Sequence, residues 1–418
     1  MKAVAGGAGA VKFLELLLFL LFFSMFLRAE VFSIPVGGVG VKPFHIIPLF
    51  LVFVCLIKYK LKLYRINFIP RSIILFMFLL FLESLVHILA EGLSVSYLKG
   101  VFYCFIFLSS TLLHGQYYLE CKANGIDFTE RYMKFMAVSA LAVLFMIAVK
   151  NLLFLPDMLS QYLSGLLRPK PAWNFMNFGH SINNEVVFSL MLLPFLRPVL
   201  KWNLSIFVIV LTLAMLVLTK VDAAFLFCIF LFLCYLYNYI SLRFSVNSAS
   251  VIFLGVFLLP LIIVGVFVVS SFDELTGGEL GRYLLWNGAI NTFEDLTLIE
   301  KLFGGGNLSY IISGYDDLHS IGQEVMDFHN TYINMVFEFG LLIVVLYIIL
   351  LLLPVVSALS DVRLVNSVAI FVAFSLLSGW FSPRGLDYLF WYFVPFLLLL
   401  KYSAHDSLAS LCAINSKE

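Results

Sequence analysis

Runs of roughly 18 or more largely apolar residues recur along the whole chain, and each is long enough to cross the hydrocarbon core of a bilayer. "AGAVKFLELLLFLLFFSMFL" near the start and "TYINMVFEFGLLIVVLYIILLLLPVV" near the end are examples. In lipid every backbone N–H and C=O must find a partner within the protein, so repeated apolar runs of this length are read as helices. The chain is 62% hydrophobic and 12% charged, and a soluble domain carries about twice that charge. An all-α, polytopic integral membrane protein follows. The net charge of +1 gives no basis for nucleic-acid binding. How the charge is distributed is more informative.

About twelve transmembrane spans are expected from length and hydropathy. They cover 13–27, 45–57, 72–90, 95–113, 134–154, 185–200, 203–219, 223–240, 250–271, 331–353, 365–380 and 387–401. With the N-terminus inside, most of the 26 Lys and Arg fall on the inner side, among them Lys58, Lys60, Lys62 and Arg65. That bias follows the positive-inside rule. The first run lacks a small-residue cleavage site and is read as a retained span. Cys55, Cys104, Cys121, Cys228, Cys234 and Cys412 show no metal-type spacing. On this topology none lies in an outward loop, so they are read as packing residues, with no disulfide and no metal site.

The chain 1–418 reads as a single transmembrane domain with two outward segments too long to be simple connectors, 155–184 and 272–328. The second is acidic, and its basic residues are Arg282 and Lys301. Within it "GRYLLWNGAINTF" repeats Tyr283, Trp286, Ile290 and Phe293 at spacings of three and four, the pattern of a short amphipathic helix. Such a helix can lie at the membrane interface. Arg282 then reads either as a snorkelling anchor or as a cation whose planar fork matches phosphate oxygens. "FGGGNLS" from Phe303 gives the backbone freedom for a tight turn or a close approach. No Lys-Ser or Lys-Thr follows, so it is not a nucleotide-binding loop.

"DFHNTYINMVFEFG" opens the next apolar run. A helix starting near His329 places Asn330, Asn334 and Glu338 on one polar stripe. A carboxylate about two turns into a span is costly unless it faces protein or a wet cavity. The stripe is either hydrogen-bonding glue between helices or part of a site. His329 at the helix mouth can exchange a proton near neutral pH, or simply bond a carbonyl. In the first long loop "NFGHSINNE" sets His180, Ser181, Asn183 and Asn184 before another inward helix, where Ser and Asn cap the helix. Both helix mouths present positive N-terminal ends outward, which favour a bound anion such as a diphosphate. Arg168 and Lys170 lie nearby, Lys220 and Asp222 sit in "TKVDAA", and Arg384 lies in "SPRGLDY" on the same face.

In this order of elements the chain resembles the bacterial O-antigen ligase and O-antigen polymerase superfamily. The motifs are "RYLLWNGAI", "LFGGGN" and "FHNTYINMVFEFGLL", with "FGHSINNE" similar to an element before an earlier span. "TKVDAA" stands where members often carry Thr-x-Ser-Arg, with Asp222 at the arginine position. The resemblance implies transfer of a glycan from an undecaprenyl-diphosphate-linked oligosaccharide, at the periplasmic face of the bacterial inner membrane. It implies no metal, no cofactor and no nucleotide sugar. Arg282, aided by Arg168 or Lys220, would neutralise charge on the leaving diphosphate. His329 would act on the acceptor hydroxyl as general base. His180, Asn183, Asn330, Glu338 and Arg384 would bind or orient substrate. The last motif looks more like the polymerases, in which the growing glycan joins a lipid-linked repeat unit, and a chain-length regulator is then an expected partner. The ligase alternative hands the glycan to lipid A-core. A transporter is a different alternative, but it would place broken helices near mid-membrane in two related halves. Here the polar residues gather at span ends.

Overall fold

The computed structural model describes residues 8–24, 34–36, 39–41, 43–59, 71–91, 99–153, 155–164, 286, 289–305, 330–358 and positions 368, 372 and 376. Eight helices within these residues carry the argument. They are α1 (Ala8–Ser24), α2 (Pro43–Tyr59), α3 (Arg71–Glu91), α4 (Lys99–Ala123), α5 (Phe128–Leu153), α6 (Leu155–Leu163), α7 (Leu298–Phe303) and α8 (Thr331–Ala358). Residues 289–295 are also helical. The expected spans 185–200, 203–219, 223–240, 250–271 and 387–401 lie outside the described residues, as does all but three positions of 365–380.

The expected span edges agree with α1, α2, α3, α5 and α8 to within a few residues, while α4 runs on to Ala123, well past the expected end at 113. Among the described residues Arg71–Leu89 and Thr331–Pro354 are long and apolar enough to cross a membrane. One feature departs from the all-α expectation. Ile34–Val36 and Val39–Val41 form an antiparallel hairpin, pairing Ile34 with Val41 and Val36 with Val39. Gly37 and Gly38 stand between them, a pair suited to a two-residue hairpin turn.

These helices are apolar nearly all round, so the sequence does not mark which face turns inward. Packing decides it. On α3, Ile73, Phe76, Leu80, Glu83, Ser84 and His87 are buried at helical spacing, while Ile74, Leu75, Phe78, Phe81, Leu85 and Leu89 face outward. Exposed large side chains on a membrane helix meet lipid tails, which are as apolar as they are. The central element is α4, packed against α1, α2 and α3. Gly100 lets α3 close on it, because a Cβ there would strike Ser84 Oγ and lie 3.0 Å from both Glu83 Oε2 and the Leu80 carbonyl oxygen. Its interior hydroxyls return to the helix: Ser109 donates to Phe105 O at 2.6 Å and Thr111 to Phe107 O at 2.7 Å. Both bonds satisfy groups that lipid cannot.

The link to α5 is a tight turn. Gly125 takes φ +64°, Ile126 N–H donates to Cys121 O at 2.9 Å, and Asp127 Oδ1 caps the new helix through Glu130 N–H at 3.1 Å. Glu15 of α1 ties the three helices together at this end. It accepts from Arg131 Nε and Nη2 at 2.6 and 2.9 Å, and from Tyr117 Oη at 2.9 Å.

Candidate functional site

Asn330 begins the site because it decides where α8 starts. Its Oδ1 accepts from the N–H groups of Tyr332 at 2.9 Å and Ile333 at 3.1 Å, an N-cap on the first turn. Those bonds also orient the amide. With the oxygen turned to the helix, Nδ2 points away from it, and Nδ2 is buried with no hydrogen-bond partner among the described residues. Asn330, Asn334 and Glu338 are 0%, 3% and 7% exposed, so the whole polar stripe faces protein. Tyr332 Oη donates to Leu376 O at 2.6 Å and pins this end of α8 to a later segment.

The stripe ends at a break. Gly340 has φ +81° and ψ 169°, which no helix contains, and the helix resumes beyond it. The expected span 331–353 treats this helix as regular; the departure arises from what packs there. Gly304, which ends α7, has φ +82° and ψ 169°, and it lies against the backbone of Glu338 and Phe339. Gly305 N–H donates to Phe337 O at 2.7 Å. The glycine-rich "FGGGN" is thus a close-approach element, and what it approaches is a helix backbone. The Phe293 and Phe337 rings meet edge to face at 6.4 Å across the same junction, and Phe339 meets Tyr103 of α4 at 6.1 Å.

α7 is held in register by a capping box. Thr297 N–H donates to Glu300 Oε2 at 2.8 Å and Glu300 N–H donates to Thr297 Oγ1 at 3.3 Å. The hydrogen bonds from Thr297 hold the Glu300 carboxyl below its ordinary range. His87 is buried on the inward face of α3. On α3 its Nε2 lies 3.5 Å from Glu83 Oε1, an ion pair when the imidazole is protonated. Ser84 Oγ donates to Glu83 Oε2 at 3.2 Å. α3 packs on α8 as well as on α4.

Of the residues singled out from sequence, Asn330 and Glu338 lie within the described residues, and the fold brings them onto one buried face. Arg282, His329, Arg168, His180, Asn183, Lys220 and Arg384 lie outside them. Within the 281–293 stretch, residues 286 and 289–293 are helical. Trp286 is buried, Ile290 is 59% exposed, and the Phe293 ring meets Phe337. Glu83 and His87 were missed by the motif reading. Their signal is "ESLVH", an acid and a histidine four apart inside an apolar span, where ionisable groups are costly unless they face protein.

The described residues define a helical protein with two helices long and apolar enough to cross a membrane, one of which, α8, opens with a buried polar stripe. Residues 207–348 match the family model described as O-antigen ligase. The match covers about a third of the chain and agrees with the O-antigen ligase and polymerase superfamily that its motifs resemble. It takes in Lys220, Arg282, His329, Asn330 and Glu338. No curated protein matches the chain.

Proposed function

We propose that the chain is a glycosyltransferase of the O-antigen polymerase type. It would move a growing glycan from undecaprenyl diphosphate to a lipid-linked repeat unit at the periplasmic face of the inner membrane. The observation that supports this most is that the family match and the buried polar stripe coincide at the start of α8. In this reading the acceptor hydroxyl oxygen forms the new bond to the anomeric carbon, and the bond from that carbon to the diphosphate breaks. His329 takes the hydroxyl proton. Arg282, with Lys220 or Arg168 and the positive end of α8, balances the charge of the departing diphosphate. Asn330 and Glu338 orient the sugars, with His180, Asn183 and Arg384 as further substrate contacts. The topology of about twelve spans, with both long loops outward, gives such a substrate its access from the bilayer. A chain-length regulator is the expected protein partner.

Purified protein supplied with lipid-linked repeat units tests this reading. Glycan lengthening with release of undecaprenyl diphosphate supports it, and a His329→Ala variant with full activity removes the assigned base. The ligase reading is favoured by the description of the matching family. Transfer to lipid A-core, with no lengthening of lipid-linked glycan, would establish it instead.

A further inference from the structure

We propose that Gly304 and Gly340 are positioning residues for the transfer reaction, through a backbone-to-backbone contact that fixes the N-terminal turns of α8. The proposal rests on the glycosyl-transfer reading above. Both glycines hold φ near +80° with ψ 169°, a conformation essentially reserved for glycine. Each also occupies the space where the other segment's backbone passes. A Cβ on Gly304 would lie 2.5 Å from Glu338 O and 2.6 Å from Phe339 N. A Cβ on Gly340 would strike Leu302 O and lie 2.5 Å from Phe303 N. Every obstacle is backbone, so no rotamer change relieves it.

The break divides α8 into unlike parts. Before it lie Asn330, Asn334 and Glu338; after it comes "LLIVVLYIILLLLP". A continuous helix would transmit the setting of that long apolar part to the polar turns. The break instead lets α7 set them, through the Gly305 to Phe337 hydrogen bond and the Phe293 to Phe337 ring contact. The capping box fixes where α7 ends, and Gly304 N–H closes that end on Glu300 O at 2.7 Å. His329 immediately precedes the polar turns. Any side chain at 304 or 340 therefore displaces the groups that meet substrate, without removing one of them.

The experiment compares wild type with Gly304→Ala, Gly340→Ala, Phe293→Leu and the control Gly125→Ala in nanodiscs. kcat and KM for lipid-linked repeat units and thermal stability are measured on each. Gly125 has φ +64° but open space around a Cβ, so its variant imposes an unfavourable φ without contact. The 304 and 340 variants should lose about 100-fold in kcat, the scale of a misplacement near 1 Å, with KM little changed. Gly125→Ala should keep kcat. Folded 304 and 340 variants with wild-type kcat would overturn the proposal, as would an equal loss of kcat in Gly125→Ala. If the glycine variants do not fold, Phe293→Leu decides, because it loosens the same junction without touching the backbone. A lowered kcat at unchanged stability supports the proposal, and a wild-type kcat overturns it. An inactive wild type overturns the transfer reading and this proposal with it; active glycine variants beside an active wild type overturn this proposal alone.

Discussion

In the proposed reaction Asn330 has two tasks, one at each end of its amide, and substitutions can separate them. Asn330→Ala removes the acceptor that holds the Tyr332 and Ile333 N–H groups at 2.9 and 3.1 Å. Cap deletions cost about 0.5–2 kcal/mol. Asn330 is fully buried, so water cannot replace the lost acceptor, and the loss belongs at the upper end, about 2 kcal/mol. Asn330→Ser restores a capping oxygen and should recover all but about 1 kcal/mol of that. Neither variant keeps the Nδ2 donor, whose natural acceptor in the proposed reaction is an oxygen of the diphosphate or of a sugar. A hydrogen bond to a charged oxygen is worth about 1.5–3 kcal/mol, which corresponds to about 10- to 150-fold in rate. The assay pairs thermal unfolding in detergent with the glycan-lengthening rate. Asn330→Ser should melt close to wild type and still lose activity by that factor. Wild-type activity in Asn330→Ser would show that Nδ2 meets no substrate and that the residue is a cap alone. Equal melting of the Ala and Ser variants would refute the capping argument.

Three further outcomes are expected. Gly100→Ala should destabilise by about 1–3 kcal/mol through overpacking; Ser84→Ala should not rescue it, because the Leu80 carbonyl still stands 3.0 Å from the new methyl, as thermal unfolding of the double variant would report. Glu15→Gln should cost about 1–2 kcal/mol with transfer activity intact, less than a fully buried pair because Arg131 is 38% exposed and water screens it. Thr297→Ala should lose about 1 kcal/mol near neutral pH, read by hydrogen exchange of the α7 amides. Because the folded Glu300 carboxyl lies below its ordinary range, its contribution is full above that range and is lost as pH falls through the lower folded value. The gap between Thr297→Ala and wild type should therefore close in acid.

The sequence alone settles that the long apolar runs among the described residues are helices, because a single run in lipid must satisfy its own backbone. It also settles the stripe of Asn330, Asn334 and Glu338, because a four-residue spacing puts groups on one face wherever the helix lies. Other features are invisible to it. A helix that is apolar all round carries no periodic signal, so the inward turn of Glu83 and His87 on α3 is set by neighbours. The glycines are the sharpest case. "FGGGN" shows that the backbone is free to approach something, and Gly340 in "EFGLL" reads as one more helical residue. That Gly304 and Gly340 meet, and that α8 breaks there, depends on two segments distant in sequence needing the same space. Only the tertiary structure brings them together, and only residues without a Cβ let them stay.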